Sequence, residues 1–277
     1  MTLCIAALCE ERKTLILMAD KMLGIGFIEA ELAIEKIVQI HKNWWVMIAG
    51  NDITPVFDIL DWSKKSLGEE DECNVDKVMQ VMSDNYQKKR IDSAEAHYLK
   101  TRGWTMGQFV AEGNNGLPPT VFQEIDQQIQ RYRLEVSLLV GGFDRQGVGH
   151  VFSVDNPGVT RRHDIPGYHA IGNGMFGALY FMYYRELSVP MKASECLYYM
   201  FEGRNFGYEA GGIGEDTDCI IVRHNEPELR LDAEAISTLD KMWEEFRPQP
   251  IEGFDRLNRY VVLPKGKQKT SRKTSPS

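Results

Sequence analysis

Long apolar runs are missing from this chain of 277 residues. No stretch approaches the roughly 18 apolar residues of a membrane-crossing helix. The first apolar run, LCIAALC, is short, has no basic stretch ahead of it and is followed at once by charged EERK. That is not a secretion signal, and the expectation is a cytoplasmic protein with no membrane partner. Cysteine is sparse and odd in number: Cys4, Cys9, Cys73, Cys196 and Cys219. Without framework spacing these exclude a disulfide scaffold and read as small buried thiols. The six histidines form no HExxH and the cysteines no paired metal motif, so no metal is expected. His163 and His169 are read as structural or surface residues. No P-loop or dinucleotide fingerprint occurs either, so no cofactor is expected and any unfolding ATPase would be a separate protein. Positive charge is not in excess. The net charge of −8 disfavours nucleic acid as a partner, since duplex binding rests on phosphate neutralisation. The exception is 265–277, where Lys265, Lys267, Lys269, Arg272 and Lys273 punctuate a polar run. It reads as a disordered basic tail.

The chain does have enough apolar content, 43%, for a sizeable core. Residues 2–9 and 14–19 are continuously apolar and separated by a charged turn. Runs apolar on both faces belong to strands covered on both sides. Residues 34–40 and 44–49 form a second such pair. Apolar positions at helical spacing predict a helix over 53–67 and another after Asn74, with Val75, Val78, Met79 and Met82 on one face. The Gly-rich stretch 101–119 reads as a loop or broken insertion, and 120–133 as an amphipathic helix. Strands are expected at 134–143, 149–154 and 168–171, the first two joined by a turn at 144–147. Helices follow at 175–187 and 190–204, with Pro190 in the first turn of the second. Their tyrosines (Tyr180, Tyr183, Tyr184, Tyr198 and Tyr199) read as packing or subunit contacts. A strand at 217–223, a helix at 232–246 and a strand at 258–263 complete the order. Blocks of strands and helices in this order suggest α+β layers. Two facing sheets with helices outside each would be a four-layer αββα sandwich, a single domain over 1–264.

Four residues carry candidate chemistry. Thr2 follows the initiator Met and opens a core strand directly. Trimming Met1 would leave an α-amine, with a reference pKa of about 7.7–8.0, beside a hydroxyl on one residue. A Thr hydroxyl with its own amine as base is a recognised nucleophile; a chance Met-Thr start is the bland alternative. Asp20 ends the apolar run LILMAD, as a turn residue or as a buried charge that needs a partner. Lys36 interrupts IEKIVQI, either snorkelling to an edge or paired. Pairing with Asp20 would relieve its burial, and an ammonium near Thr2 would stabilise developing negative charge. Gly50 ends WWVMIAG, where its amide can face an oxyanion or simply end a strand.

Taken together, MTLCIAAL, LILMADK, AIEKIVQI and WWVMIAG resemble the opening of proteasome β-type subunits, which are N-terminal-nucleophile hydrolases. The steps from Asp20 to Lys36 and from Lys36 to Gly50 match the family spacing; the step from Thr2 to Asp20 is two residues longer. GYHAIGNGMFGALYFMYY resembles the family's strand, Gly-x-Gly turn and helix, and GGIGEDTDCIIV its next strand, so the likeness covers about 2–223. No helical extension precedes Thr2, which suits a β-type subunit. The resemblance implies a threonine-type peptidase or amide hydrolase acting on peptide or protein in a homo-oligomeric ring. Thr2 would be nucleophile and base, Lys36 would tune it, Asp20 would orient Lys36, and the Gly50 amide would hold the oxyanion. Asn173 stands where the family has Ser in the Gly-x-Gly turn; it can bond the terminal amine but cannot shuttle a proton. The family's Asp-x-x-Ser pair falls on Ala210 and Ile213, with Glu209, Glu215 or Asp216 as substitutes. Equal spacing puts Leu23, Ile34, Val38 and Ile48 around a first, apolar specificity pocket with Asp52 at its rim. These departures keep two other readings open: an acyl-transfer enzyme or small-amide hydrolase of the same fold, and a silent assembly subunit.

Overall fold

The structure, a computed structural model, describes residues 2–21, 23–25, 28–30, 35–68, 73–208, 214 and 216–248, with 23–25 and 28–30 by backbone alone. It is a mixed α+β protein with two five-stranded antiparallel sheets and, among the described residues, seven α-helices. The strands are β1 (Leu3–Cys9), β2 (Thr14–Asp20), β3 (Leu23–Ile25), β4 (Ile28–Ala30), β5 (Ile37–His41) and β6 (Trp44–Gly50), then β7 (Val136–Phe143), β8 (Gly149–Asp155), β9 (Val159–Arg162), β10 (Tyr168–Gly172), β11 (Thr217–Arg223) and β12 (Leu229–Arg230). The helices are α1 (Thr54–Leu67), α2 (Val75–Tyr98), α3 (Met106–Gly116), α4 (Pro119–Arg131), α5 (Met175–Tyr184), α6 (Ala193–Tyr208) and α7 (Ala233–Phe246). One sheet runs β10-β1-β2-β11-β12 and the other β5-β6-β7-β8-β9, while β3 and β4 form a small hairpin apart.

Alternation along each strand sorts the core into three bodies. Cys4, Ala6 and Leu8 of β1 and Leu15, Leu17 and Ala19 of β2 pack against Trp45, Met47 and Ala49 of β6 and Leu139 and Val151 of the second sheet. The opposite faces of β1 and β2 (Leu3, Ile5, Ala7, Ile16 and Met18) meet Ala178 and Met182 of α5, Phe201 of α6 and Leu239 of α7. Trp44, Val46 and Ile48 pack beneath Val56, Ile59 and Leu60 of α1 and Val78, Met82 and Tyr86 of α2. Every residue of β1 and β2 is buried, which is why both read as unbroken apolar runs. A fully buried Leu or Ile stabilises by about 1.5–3 kcal/mol, so these two strands anchor whatever their ends carry.

Several elements differ from the sequence expectation. The 101–119 stretch holds α3. Thr105 and Gln108 form a capping box there, and Phe109 packs with Leu99 and Ile125 in a separate apolar cluster. The capping box satisfies the helix start, and burial of Phe109 offsets the glycines that argue for a loop. Lys36 precedes β5 instead of lying within it, Pro190 sits in a turn ahead of α6, and the short strands β3, β4, β9 and β12 were not anticipated. Asn74 does cap α2, accepting from Lys77 N. The strand expected at 258–263 and the basic tail at 265–277 lie outside the described residues. All five cysteines are buried and unbridged. No described helix is long and apolar enough to cross a membrane, and no group of metal-ligating side chains occurs among the described residues.

Candidate active site

The ends of β1, β2 and β6 and the residue leading into β5 meet at one edge of the two sheets. Antiparallel pairing sets Cys4 beside Ala19, which brings Asp20 within reach of the start of β1. Leu3 N donates to Asp20 Oδ1 at 2.8 Å. Lys36 Nζ donates to the same oxygen at 2.9 Å and to Thr2 Oγ1 at 3.2 Å. Gly214 N donates to Asp20 Oδ2 at 3.1 Å. Three of the expected residues are therefore one hydrogen-bonded unit. Thr2, Asp20 and Lys36 are 4%, 1% and 3% exposed, so the turn and snorkelling alternatives are both set aside by burial. An unpaired ion at such a place costs several kcal/mol. Here each charge meets its opposite, and the carboxylate has donors on both oxygens.

Gly50 stands at the end of β6 for two reasons. A Cβ there would overlap the Glu135 carbonyl and the Val136 side chain of the adjacent strand. The ladder bond beside it runs from Asn51 N to Glu135 O, so Gly50 and Val136 form a non-hydrogen-bonded pair. That turns the Gly50 N–H away from β7, toward the side where Lys36 leads into β5, whose described pairing with β6 begins at Ile37 opposite Met47. On the other side of Thr2, Asn173 N donates to the Thr2 carbonyl at 2.9 Å. The preceding Gly172 has φ of +95°, and a Cβ on it would overlap the Thr2 carbonyl. The Gly-x-Gly turn therefore clamps the Thr2 backbone. Asn173 makes this contact through its main chain, and its side chain is exposed.

Thr2, Gly50 and Asn173 line one cavity of about 550 Å3. A second candidate nucleophile nearby, Cys4, is disarmed. Burial dominates the pKa of its thiol and drives it up to about 12, against the opposing field of Lys36, and its Sγ donates to Ile48 O at 3.4 Å. It remains a protonated thiol at neutral pH.

The expected pocket walls fare differently. Val38 and Ile48 pack in the cluster beneath α1 and α2 and do not line this cavity. Asp52 is exposed and accepts from Thr54 N at 2.9 Å, at the start of α1. The Leu23 side chain and Ile34 lie outside the described residues. So do Glu209, Ala210, Ile213 and Glu215, while the Asp216 carbonyl accepts from Lys21 N.

Sequence reasoning missed two parts of the site. One is the brace behind Asp20: Arg204 of α6, 7% exposed, donates from Nη2 to Gly214 O at 2.9 Å, on the same residue whose N–H holds Asp20. No local pattern announces it. The other is a pair of histidines. His163 and His169, expected as structural or surface residues, are half-buried and line the cavity, stacked with ring centroids 3.6 Å apart. Their spacing, on either side of the turn before β10, was the available signal.

Compared with known proteins, the chain matches no family model and no curated relative. The geometry of Thr2, Asp20 and Lys36 therefore carries the functional reading.

Proposed function

We propose that this chain is an N-terminal-nucleophile hydrolase of the proteasome β-subunit type, a threonine peptidase or amide hydrolase active once Met1 is removed. One observation supports it above the rest. A buried ammonium, Lys36, is held between the Asp20 carboxylate and the Thr2 hydroxyl. Nothing in the packing of a core requires that arrangement, since apolar residues of similar volume are often as stable as a buried ion pair. The division of the core into three apolar bodies supports a four-layer αββα sandwich as the frame.

In this reading the Thr2 α-amine accepts the proton from Thr2 Oγ1 as the oxygen attacks the amide carbonyl carbon. Lys36 stays protonated and stabilises the negative charge that develops on Oγ1, while the Gly50 N–H donates to the carbonyl oxygen as it becomes an oxyanion. Collapse breaks the C–N bond, and the proton held by the α-amine leaves with the departing amine. Water then attacks the ester, again with the α-amine as base, releasing the acid and restoring Thr2. Asp20 does no proton transfer; its bonds to Leu3 N and Gly214 N keep it where Lys36 needs it. A homo-oligomeric ring in the cytoplasm and a separate unfolding ATPase belong to the same proposal.

The test has two parts. Mass spectrometry of the purified protein is expected to show loss of Met1, and a peptide epoxyketone is expected to add to the new N-terminus. Thr2→Ser should keep activity and Thr2→Ala abolish it. Active protein that retains Met1 overturns the proposal, and absence of labelling favours a silent assembly subunit.

A further inference from the structure

The cavity extends past Thr2 and Gly50 to a wall that the proposed chemistry does not use. Ser153 and Asp155 close β8 there, opposite His163 and His169. Arg161 Nη1 donates to Asp155 Oδ2 at 3.0 Å, and Ser153 Oγ lies 3.3 Å from the same oxygen. A carboxylate only accepts, so the Ser153 hydroxyl donates to it. The Ser153 oxygen then accepts from His163 Nε2–H at 3.1 Å, which fixes that tautomer and leaves Nδ1 with its lone pair. His169 lies flat on His163, with 6° between the rings. Burial lowers the pKa of both imidazoles; beside His169, that of His163 falls to about 4. The pair is neutral at neutral pH.

This wall is built, since Ser153 is 1% exposed at its centre. It also has unused recognition capacity. The His169 ring is only part-buried, and no described residue hydrogen-bonds it. Glu135, exposed just ahead of β7, borders the same cavity. Asn51 Nδ2 donates to its Oε2 at 3.1 Å, and no described cation pairs with it. Arg161, largely exposed, pairs with Asp155 through Nη1 alone. Beyond the Arg161–Asp155 pair the wall offers a flat neutral π face, ring nitrogens and a carboxylate with one oxygen unoccupied. An acidic ligand would be repelled by Glu135, and a purely apolar one would desolvate that carboxylate without a partner. A planar cation with several N–H donors satisfies both features, stacking on the imidazole and bonding the carboxylate.

We propose that this wall is a subsite for a basic side chain of the substrate, guanidinium in preference to ammonium, beside the amide presented to Thr2. That the ligand is a peptide rests on the proposed peptidase reading. The test therefore reads binding without chemistry. Full-length Thr2→Ala protein is titrated with fluorescent hexapeptides in which one arginine is walked through an alanine background, then replaced by lysine, citrulline, leucine or glutamate. One position is expected where arginine binds about tenfold or more tighter than citrulline, the ratio of a single charge-assisted contact. Glu135→Gln should bring that ratio close to one and leave leucine binding unchanged. His169→Ala should weaken the arginine peptide several-fold. Equal binding of arginine and citrulline at every position, a preference for glutamate, no peptide binding at all, or a ratio that survives Glu135→Gln overturns the proposal. Arginine selectivity in a protein whose wild type cleaves none of these peptides supports the subsite while sinking the Thr2 chemistry.

Discussion

Asp20→Asn is the most informative single change, because the geometry around Asp20 sets its cost. The carboxylate receives Leu3 N and Lys36 Nζ on Oδ1 and Gly214 N on Oδ2. Asparagine has one acceptor oxygen, so one of these N–H groups would face an NH2 group. Lys36, 3% exposed, would lose its counterion. Removing one partner of a buried pair costs about 3–5 kcal/mol, a large share of a total stability near 5–15 kcal/mol. For a domain of this size that is a fall in Tm of roughly 6–20 °C. The double variant Asp20→Asn/Lys36→Met removes the stranded charge, and we expect it to recover at least about half of the lost stability. Both variants should be inactive. Thermal and urea unfolding of the wild type, the two single variants and the double variant form the cycle. An Asp20→Asn protein that melts within about 2 °C of the wild type, or a double variant no more stable than Asp20→Asn, would refute the buried-pair reasoning. Should Asp20→Asn fail to fold at all, the double variant still decides the matter, since it is expected to fold.

Other consequences can be checked separately. Arg204→Met should slow acylation by roughly tenfold to 10²-fold, with kcat falling and KM holding, because it loosens the Gly214 peptide that fixes Asp20; an unchanged rate constant removes Arg204 from the site. Gly172→Ala places a Cβ on the Thr2 carbonyl at a φ of +95°, so soluble, fully active protein would contradict the clamp. The third concerns pH. His150 lies between Asp164 at 2.8 Å and Asp144 at 3.2 Å; burial lowers its pKa, but the two aspartates outweigh it and the net shift is upward. Burial raises the pKa of Asp144 and Asp164, yet hydrogen bonds from His150 and from backbone N–H groups bring both below the usual carboxylate range. The histidine's contribution to stability is complete below its unfolded pKa and is lost as pH rises through the folded one. The aspartates' contribution is present above their unfolded pKa and is lost as pH falls through the folded one. Together they stabilise most between about pH 4 and 6.5. His150→Asn should flatten the decline in urea midpoint from pH 6 to pH 8, and an identical slope would discard this account.

The local pattern of the sequence determined β1, β2, β6 and β11 nearly to the residue, because strands covered on both faces leave an unbroken apolar record. It also marked Thr2 by its place after the initiator Met, Asp20 as a charge ending an apolar run and Lys36 as a charge inside one, since buried charges must find partners. Tertiary structure decided the rest. The donor on the second oxygen of Asp20 comes from Gly214, which Arg204 holds from a helix, and main-chain contacts between distant segments leave no periodicity to read. The stacking of His163 on His169 depends on the turn between β9 and β10, so two histidines that read as structural or surface residues become a cavity wall. The capping box at Thr105 prevailed over the glycines of 106–116 because Phe109 found a partner surface. Composition along the chain records burial; it does not record which buried groups meet.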